Sequence, residues 1–232
     1  MKRFERDNVP PERAATQQVR VRVRGGRTGK RALLVEDLAM PGVFDAFSTE
    51  IMFGERVGVL GANGTGKSHF LRLVAGEELA HTGRLLIGAR VQPGLFSQLH
   101  DRAELHGRPV LDVLMSRGLD RGAAMAAVSR YELRTAAEDP FDRLSGGQQA
   151  RVQILLLEID NPTMLLLDEP TDNLDLDSAE ALEAGLDQYE GTVVAVTHDR
   201  WFMRVFDRFL IFERDGRVRE SLEPLEAWHG PS

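Results

Sequence analysis

Apolar residues fall in two rhythms along this chain. Short continuous runs occur at RVGVLG (56–61), TMLLLDE (163–169), TVVAVTH (192–198) and RFLIFER (208–214), with a briefer one at RLLIG (84–88). Such runs predict strands, and their continuity rather than alternation predicts burial on both faces. Between them lie stretches of helical character. KSHFLRLVAG (67–76) spaces Phe70, Leu71 and Val74 as one helix face, QARVQILLLEI (149–159) and SAEALEAGLDQY (178–189) follow suit, and residues 109–133 read as helical with an alanine-rich second half. From ALLVEDL (32–38) onward strand and helix alternate, which predicts a parallel sheet covered on both sides, an α/β fold. The exception is QQVRVRVRGG (17–26), where Val19, Val21 and Val23 alternate with Arg20, Arg22 and Arg24. A strand there has a valine face and a guanidinium face; it is either a half-buried edge with a solvated side or a surface for an anionic partner such as RNA.

Composition narrows the class. The 232 residues are 42% hydrophobic and 28% charged, which suits a globular domain able to bury a sizeable core. The chain contains 0 cysteines, so a disulfide scaffold and a thiolate metal site are excluded. No apolar run reaches the roughly 20 residues that span a bilayer, and the first residues lack the apolar core of a signal peptide, so a cytoplasmic protein is expected. The net charge of -7 conceals an asymmetry: residues 1–31 hold 10 basic and 3 acidic side chains (+7), leaving 19 basic and 33 acidic (-14) for the remainder. A basic segment precedes an acidic body.

Two segments have the makings of phosphate sites. GANGTGKS (61–68) fits the pattern G-x-x-x-x-G-K-[ST] at Gly61, Gly66, Lys67 and Ser68, after a buried strand and before a helix. In that context backbone N–H groups converge on a phosphate chain, Lys67 reaches the β- and γ-phosphates and the Ser68 hydroxyl takes a Mg²⁺ position. Ala62, Asn63, Gly64, Thr65 and His69 complete the candidate nucleotide contacts. At the end of TMLLLDE, Asp168 and Glu169 stand at the carboxyl edge of a strand; Asp168 is the candidate Mg²⁺ carboxylate and Glu169 the candidate general base. The second segment is LSGGQQAR (144–151), a hydroxyl and two glycines opening a helix, whose positive end also attracts anions.

The ordered set GANGTGKS, Gln98 in FSQ, LSGGQQ, LLLDEPTDNLD and His198 in VTHDR resembles the nucleotide-binding domain of the ATP-binding-cassette superfamily over residues 32 to about 220. The resemblance implies a P-loop NTPase fold of the ABC type, with a mostly parallel core sheet, an antiparallel β-subdomain and a small helical subdomain at about 99–143. It implies ATP and Mg²⁺ as cofactors and an ATPase activity. It also implies why two phosphate sites coexist: cassettes pair head to tail, and Leu144, Ser145, Gly146, Gly147 and Gln148 of one close over the nucleotide in the cradle of another. Gln98 would meet Mg²⁺ and the attacking water, His198 the γ-phosphate and that water, and Asp175 would communicate across the pair. The family's adenine-stacking aromatic has no evident counterpart in LAMPGVFDAF (38–47), where Phe44, Leu38 and Met40 are the candidates and a looser preference for ATP over GTP is the consequence.

Within the superfamily, THDRWFM (197–203) and DEPTDNLD (168–175) resemble the endings typical of the soluble F subfamily, whose members carry two cassettes and act on the ribosome. Asp172 and Asn173 depart from that subfamily's usual Asn and His. Residues 1–31 resemble the end of an inter-cassette linker with the first strand of a second cassette, and residues 32–232 would be that cassette. The expected partners are a second cassette, on the same longer chain or in a homodimer, and the ribosome with its rRNA. The alternative is the ATPase subunit of a membrane transporter, with a permease as partner.

Overall fold

The computed structural model describes residues 29–96, 105–170, 179, 182, 185–199 and 202–224. The arginine-valine segment at 17–26, Gln98, Asp175, Trp201 and, within the helix expected at 178–189, residues 178, 180, 181, 183 and 184 lie outside the described residues.

The chain opens with a long strand β1 (Arg31–Met40) that turns through Pro41–Val43 into β2 (Phe44–Met52). Then come β3 (Arg56–Gly61), helix α1 (Lys67–Val74), β4 (Thr82–Ile87) and β5 (Pro93–Phe96). Two short helices, α2 (Val110–Ser116) and α3 (Arg121–Arg130), precede the longer α4 (Gly146–Asp160). The last strands are β6 (Met164–Asp168), β7 (Thr192–Val196), β8 (Arg208–Phe212) and β9 (Val218–Ser221).

These strands build two sheets. One has three antiparallel strands in the order β2-β1-β4, and the other six in the order β5-β6-β7-β3-β8-β9, parallel except for the β8–β9 hairpin. The uninterrupted apolar runs explain the second sheet's middle. In β6, Leu165 and Leu167 face one core cluster while Met164 and Leu166 face another, and β7 and β8 divide their residues the same way. One cluster lies toward α2, α3 and α4; the other lies under α1 and the antiparallel sheet, where Phe44, Phe47, Phe70 and Phe212 meet at centroid separations of 5.5–5.8 Å. An open cleft of about 640 Å³ on the antiparallel sheet is lined by Glu36, Asp37, Ser48, Glu50 and Arg84 among others.

A half-buried arginine joins the sheets. Arg208 at the start of β8 donates from Nε to Glu55 at 2.5 Å, from Nη1 to Thr49 at 3.2 Å and from Nη2 to the Glu50 carbonyl at 2.6 Å, and pairs with Glu220 at 2.9 Å. Burial works against its charge, but the hydrogen bond and charge of Glu55, with those of Glu220, outweigh it, and the pKa is raised above its ordinary value.

Where the elements depart from the sequence pattern, the causes are local. The helical stretch expected at 109–133 breaks at 117–120, because Gly118 adopts φ 91° and Asp120 caps α3 by accepting from the Ala123 N–H at 2.7 Å. β5 begins at a proline, contains a glycine and has only four residues, so its pairing with β6 shows in the register and not in its composition. β2 and β9 lie at sheet margins, where one face of a strand can stay wet, so neither carries the continuous apolar run that marks β6 or β7.

Candidate nucleotide site

Three neighbouring strands deliver the chemistry to one edge. The register sets Val59 of β3 and Asp168 of β6 opposite the same residue, Val196 of β7, so the ends of all three strands lie side by side. Beyond them run the loop from Gly61, the pair Asp168 and Glu169, and the segment Thr197–His198. Carboxyl edges of parallel strands are where ligands of such sheets collect.

The loop is held open by its own atoms. Thr65 Oγ1 donates to the Ala62 carbonyl at 2.9 Å, and the Lys67 amine, on a residue only 5% exposed, donates to the carbonyls of Gly61 at 2.8 Å and Ala62 at 2.9 Å. Burial pushes the Lys67 amine below its ordinary pKa, and the nearby Glu169 and Asp168 carboxylates oppose that. Asn63, Gly64, Ser68 and His69 are exposed along the loop and the first turn of α1. Two glycines are irreplaceable here. A Cβ on Gly61 would stand 2.2 Å from the Phe212 carbonyl oxygen; one on Gly66, whose φ is +97°, would stand 2.5 Å from Val43 Cγ1 and 2.8 Å from Phe44 Cδ1.

The acidic side has its own strain. Glu169 adopts φ +48°, a conformation uncommon outside glycine, and its N–H is fixed to the Val196 carbonyl at 3.0 Å. Its Oε1 lies 3.4 Å from His198 Nε2, so two residues that the sequence marks as candidates meet across adjacent strands. Asp168 is 8% exposed. Among the described residues no three His, Cys, Asp or Glu side chains converge into a metal cage. One hydroxyl (Ser68) and one carboxylate (Asp168) instead suit a hard cation that takes its remaining oxygens from phosphate and water.

The second candidate phosphate site stands elsewhere. Ser145 caps α4 in a capping box, its Oγ accepting from the Gln148 N–H at 3.3 Å while the Gln148 side chain accepts from the Ser145 N–H at 2.9 Å. Leu144 is buried, Ser145 and Gly146 are exposed, and Gly147 is half-buried. α4 packs against β5, three strand positions from β3, so Leu144–Gln148 are not part of the edge that gathers Lys67, Glu169 and His198. The adenine-stacking candidates are corrected by packing. Leu38, Met40 and Phe44 are all within the core, at 0%, 7% and 3% exposure, and Phe44 is committed to Phe47 and Phe212. From the β1–β2 turn it is Val43, half-buried, that touches the loop, a contact without any signal in the sequence.

Comparison with known proteins fits this geometry to a family. The family model described as ABC transporter matches residues 44–172, more than half the chain and inclusive of the loop, the capped helix and Asp168–Glu169. The chain belongs to the ATP-binding cassette family of ATPases. The cassette is 51% identical over 246 aligned positions to an antibiotic resistance protein of Mycobacteroides abscessus, covering 97% of this chain and 45% of that protein. It is 31% identical over 207 positions to the energy-dependent translational throttle protein EttA of Escherichia coli, covering 84% of this chain and 37% of that one. The cassette therefore spans less than half the length of these relatives, and they bear out its resemblance to the F subfamily. Among solved structures, a dimeric ATP-binding cassette in a post-hydrolysis state with ADP and phosphate shares the fold, with a TM-score of 0.64 at 23% identity over 82% of this chain and 98% of that one. Among the described residues no helix is long and apolar enough to cross a membrane.

Proposed function

We propose that this cassette is the second of two in a cytoplasmic F-subfamily protein, that it closes head to tail with its partner cassette around ATP, and that the assembly acts on the ribosome. The observation that carries the catalytic part is the Glu169–His198 pair at 3.4 Å beside the loop that holds Lys67.

The residues divide the work as follows. Backbone N–H groups of Gly61–Ser68 and the opening of α1 receive the phosphate chain. Lys67 leaves the carbonyls of Gly61 and Ala62 for the β- and γ-phosphates, where a buried ammonium finds a full counter-charge instead of two dipoles. Mg²⁺, held by Ser68 and Asp168 with Gln98 beside them, would neutralise charge on the phosphate oxygens. Glu169 accepts the proton of the attacking water, and His198 fixes the position of that carboxylate and the γ-phosphate. Ser145, Gly146 and Gly147 serve the nucleotide of the other cassette, with Asp175 between the two sites. ATP joins the pair and hydrolysis releases it.

Support for the ribosome comes from the relatives, one named for antibiotic resistance and one for translation, and from the basic segment at 1–31, whose guanidinium row suits RNA phosphates. The test is the Glu169→Gln variant. Turnover should fall at least about a hundredfold, the share of a general base, while ATP stays bound and the cassette co-sediments with ribosomes only when ATP is present. Hydrolysis at the wild-type rate would remove Glu169 from its role. Native purification that brought down an integral membrane permease and no rRNA would return the transporter reading.

A further inference from the structure

Three glutamines lie on α4, and the structure treats them differently. Gln148 closes the capping box, and Gln149 donates from Nε2 to the Phe141 carbonyl at 2.9 Å. Gln153 is 1% exposed, and neither its amide nitrogen nor its amide oxygen has a hydrogen-bond partner. No other described side chain has a buried polar atom in this condition. A primary amide removed from water without partners is among the more expensive things a core can contain.

Its position narrows the explanation. Residues 149, 153 and 157 are separated by four and so form one stripe along the helix. At one end Gln149 is tied to the Phe141 turn, in the helical layer with α2 and α3. At the other end Leu157 lies against the sheet, its Cδ2 only 2.9 Å from where a Cβ on Gly94 of β5 would be. Gln153 occupies the middle, at the seam between helical layer and sheet. Eight residues before it, about 12 Å along the axis, stands Ser145, the end of α4 that the proposed function places on another cassette's nucleotide.

We propose that Gln153 is a positioning residue, whose amide gains its hydrogen bonds, to main-chain groups at that seam, when nucleotide on a second cassette engages the amino terminus of α4. The unpaired amide destabilises the nucleotide-free arrangement alone, so closure relieves a defect built into the open state. Binding energy at Ser145 is thereby coupled to the placement of the helical layer on the sheet. This inference rests on the head-to-tail reading of the function.

The experiment introduces Gln153→Met and Gln153→Leu, each with and without Glu169→Gln, and compares unfolding midpoints and ATP-driven assembly, by sedimentation, with the partner cassette supplied as a separate polypeptide. Both substitutions should raise the midpoint of the nucleotide-free protein. Both should also weaken ATP-driven assembly of the Glu169→Gln protein about tenfold, the scale of one buried hydrogen-bonding group. Equal stabilisation with and without ATP would make Gln153 a plain packing defect and overturn the inference. Destabilisation of the nucleotide-free protein by both substitutions would show that the amide is already satisfied, and would overturn it equally. If Glu169→Gln alone fails to assemble with ATP, the head-to-tail reading falls and this inference falls with it; if it assembles and the substitutions leave assembly unchanged, only the inference falls.

Discussion

At Gly66 one hydrogen atom stands where any side chain would meet Val43 and Phe44, and the backbone is already in the left-handed region. Gly66→Ala combines that strain with overpacking, so a loss of about 2–4 kcal/mol is expected, readable as a shift in urea midpoint at unchanged slope. A variant as stable as the wild type would mean that the turn between β1 and β2 does not brace the loop. Gly66 also shows what single residues disclose in sequence. The loop's glycines, Lys67 and Ser68 were legible because their spacing is a requirement of local backbone geometry. The burial of Phe44 was not, since its ring packs against Phe212, which lies 168 positions further along the chain (212 minus 44). Nor was the left-handed backbone of Glu169, which is held by a carbonyl from β7.

At the scale of elements, the opening of α4 holds a capping box that stabilises the helix, with Ser145 and Gly146 exposed, and the proposed function gives that same end a second duty. Ser145→Arg removes a cap worth about 1 kcal/mol and places a long cation at the helix opening. ATP binding by the variant itself, measured with a fluorescent analogue, should be unchanged, while ATP-driven assembly of the Glu169→Gln background disappears. Normal assembly would sink the idea that this end serves a second cassette. The elements legible in the sequence were those with strong patterns: the buried strands β3, β6, β7 and β8 and the helices α1 and α4. β5 and β9 left no such pattern, because a four-residue marginal strand is specified by its neighbour more than by its own side chains.

For the whole molecule the dominant asymmetry is electrostatic, +7 on residues 1–31 against -14 on the rest. A body of net negative charge is disfavoured near RNA, so the arginines of the leading segment are expected to carry much of the salt-sensitive part of any ribosome binding. Replacing Arg20, Arg22 and Arg24 with alanine should weaken co-sedimentation with ribosomes and flatten its dependence on the logarithm of salt concentration by up to about three units of slope. An unchanged slope would leave that segment a solvated edge. The strand order has a further consequence, in time during synthesis. β3, which feeds the phosphate loop, lies between β7 and β8, and its last residue precedes the end of β8 by 151 positions (212 minus 61). At ordinary elongation rates that is about 8–30 s. β7 begins 131 positions after β3 ends (192 minus 61), so for most of that interval an apolar strand and the loop it should brace stand without either flanking strand; the nucleotide site is among the last parts of the cassette to be assembled, and a chain cut short before residue 192 cannot build it.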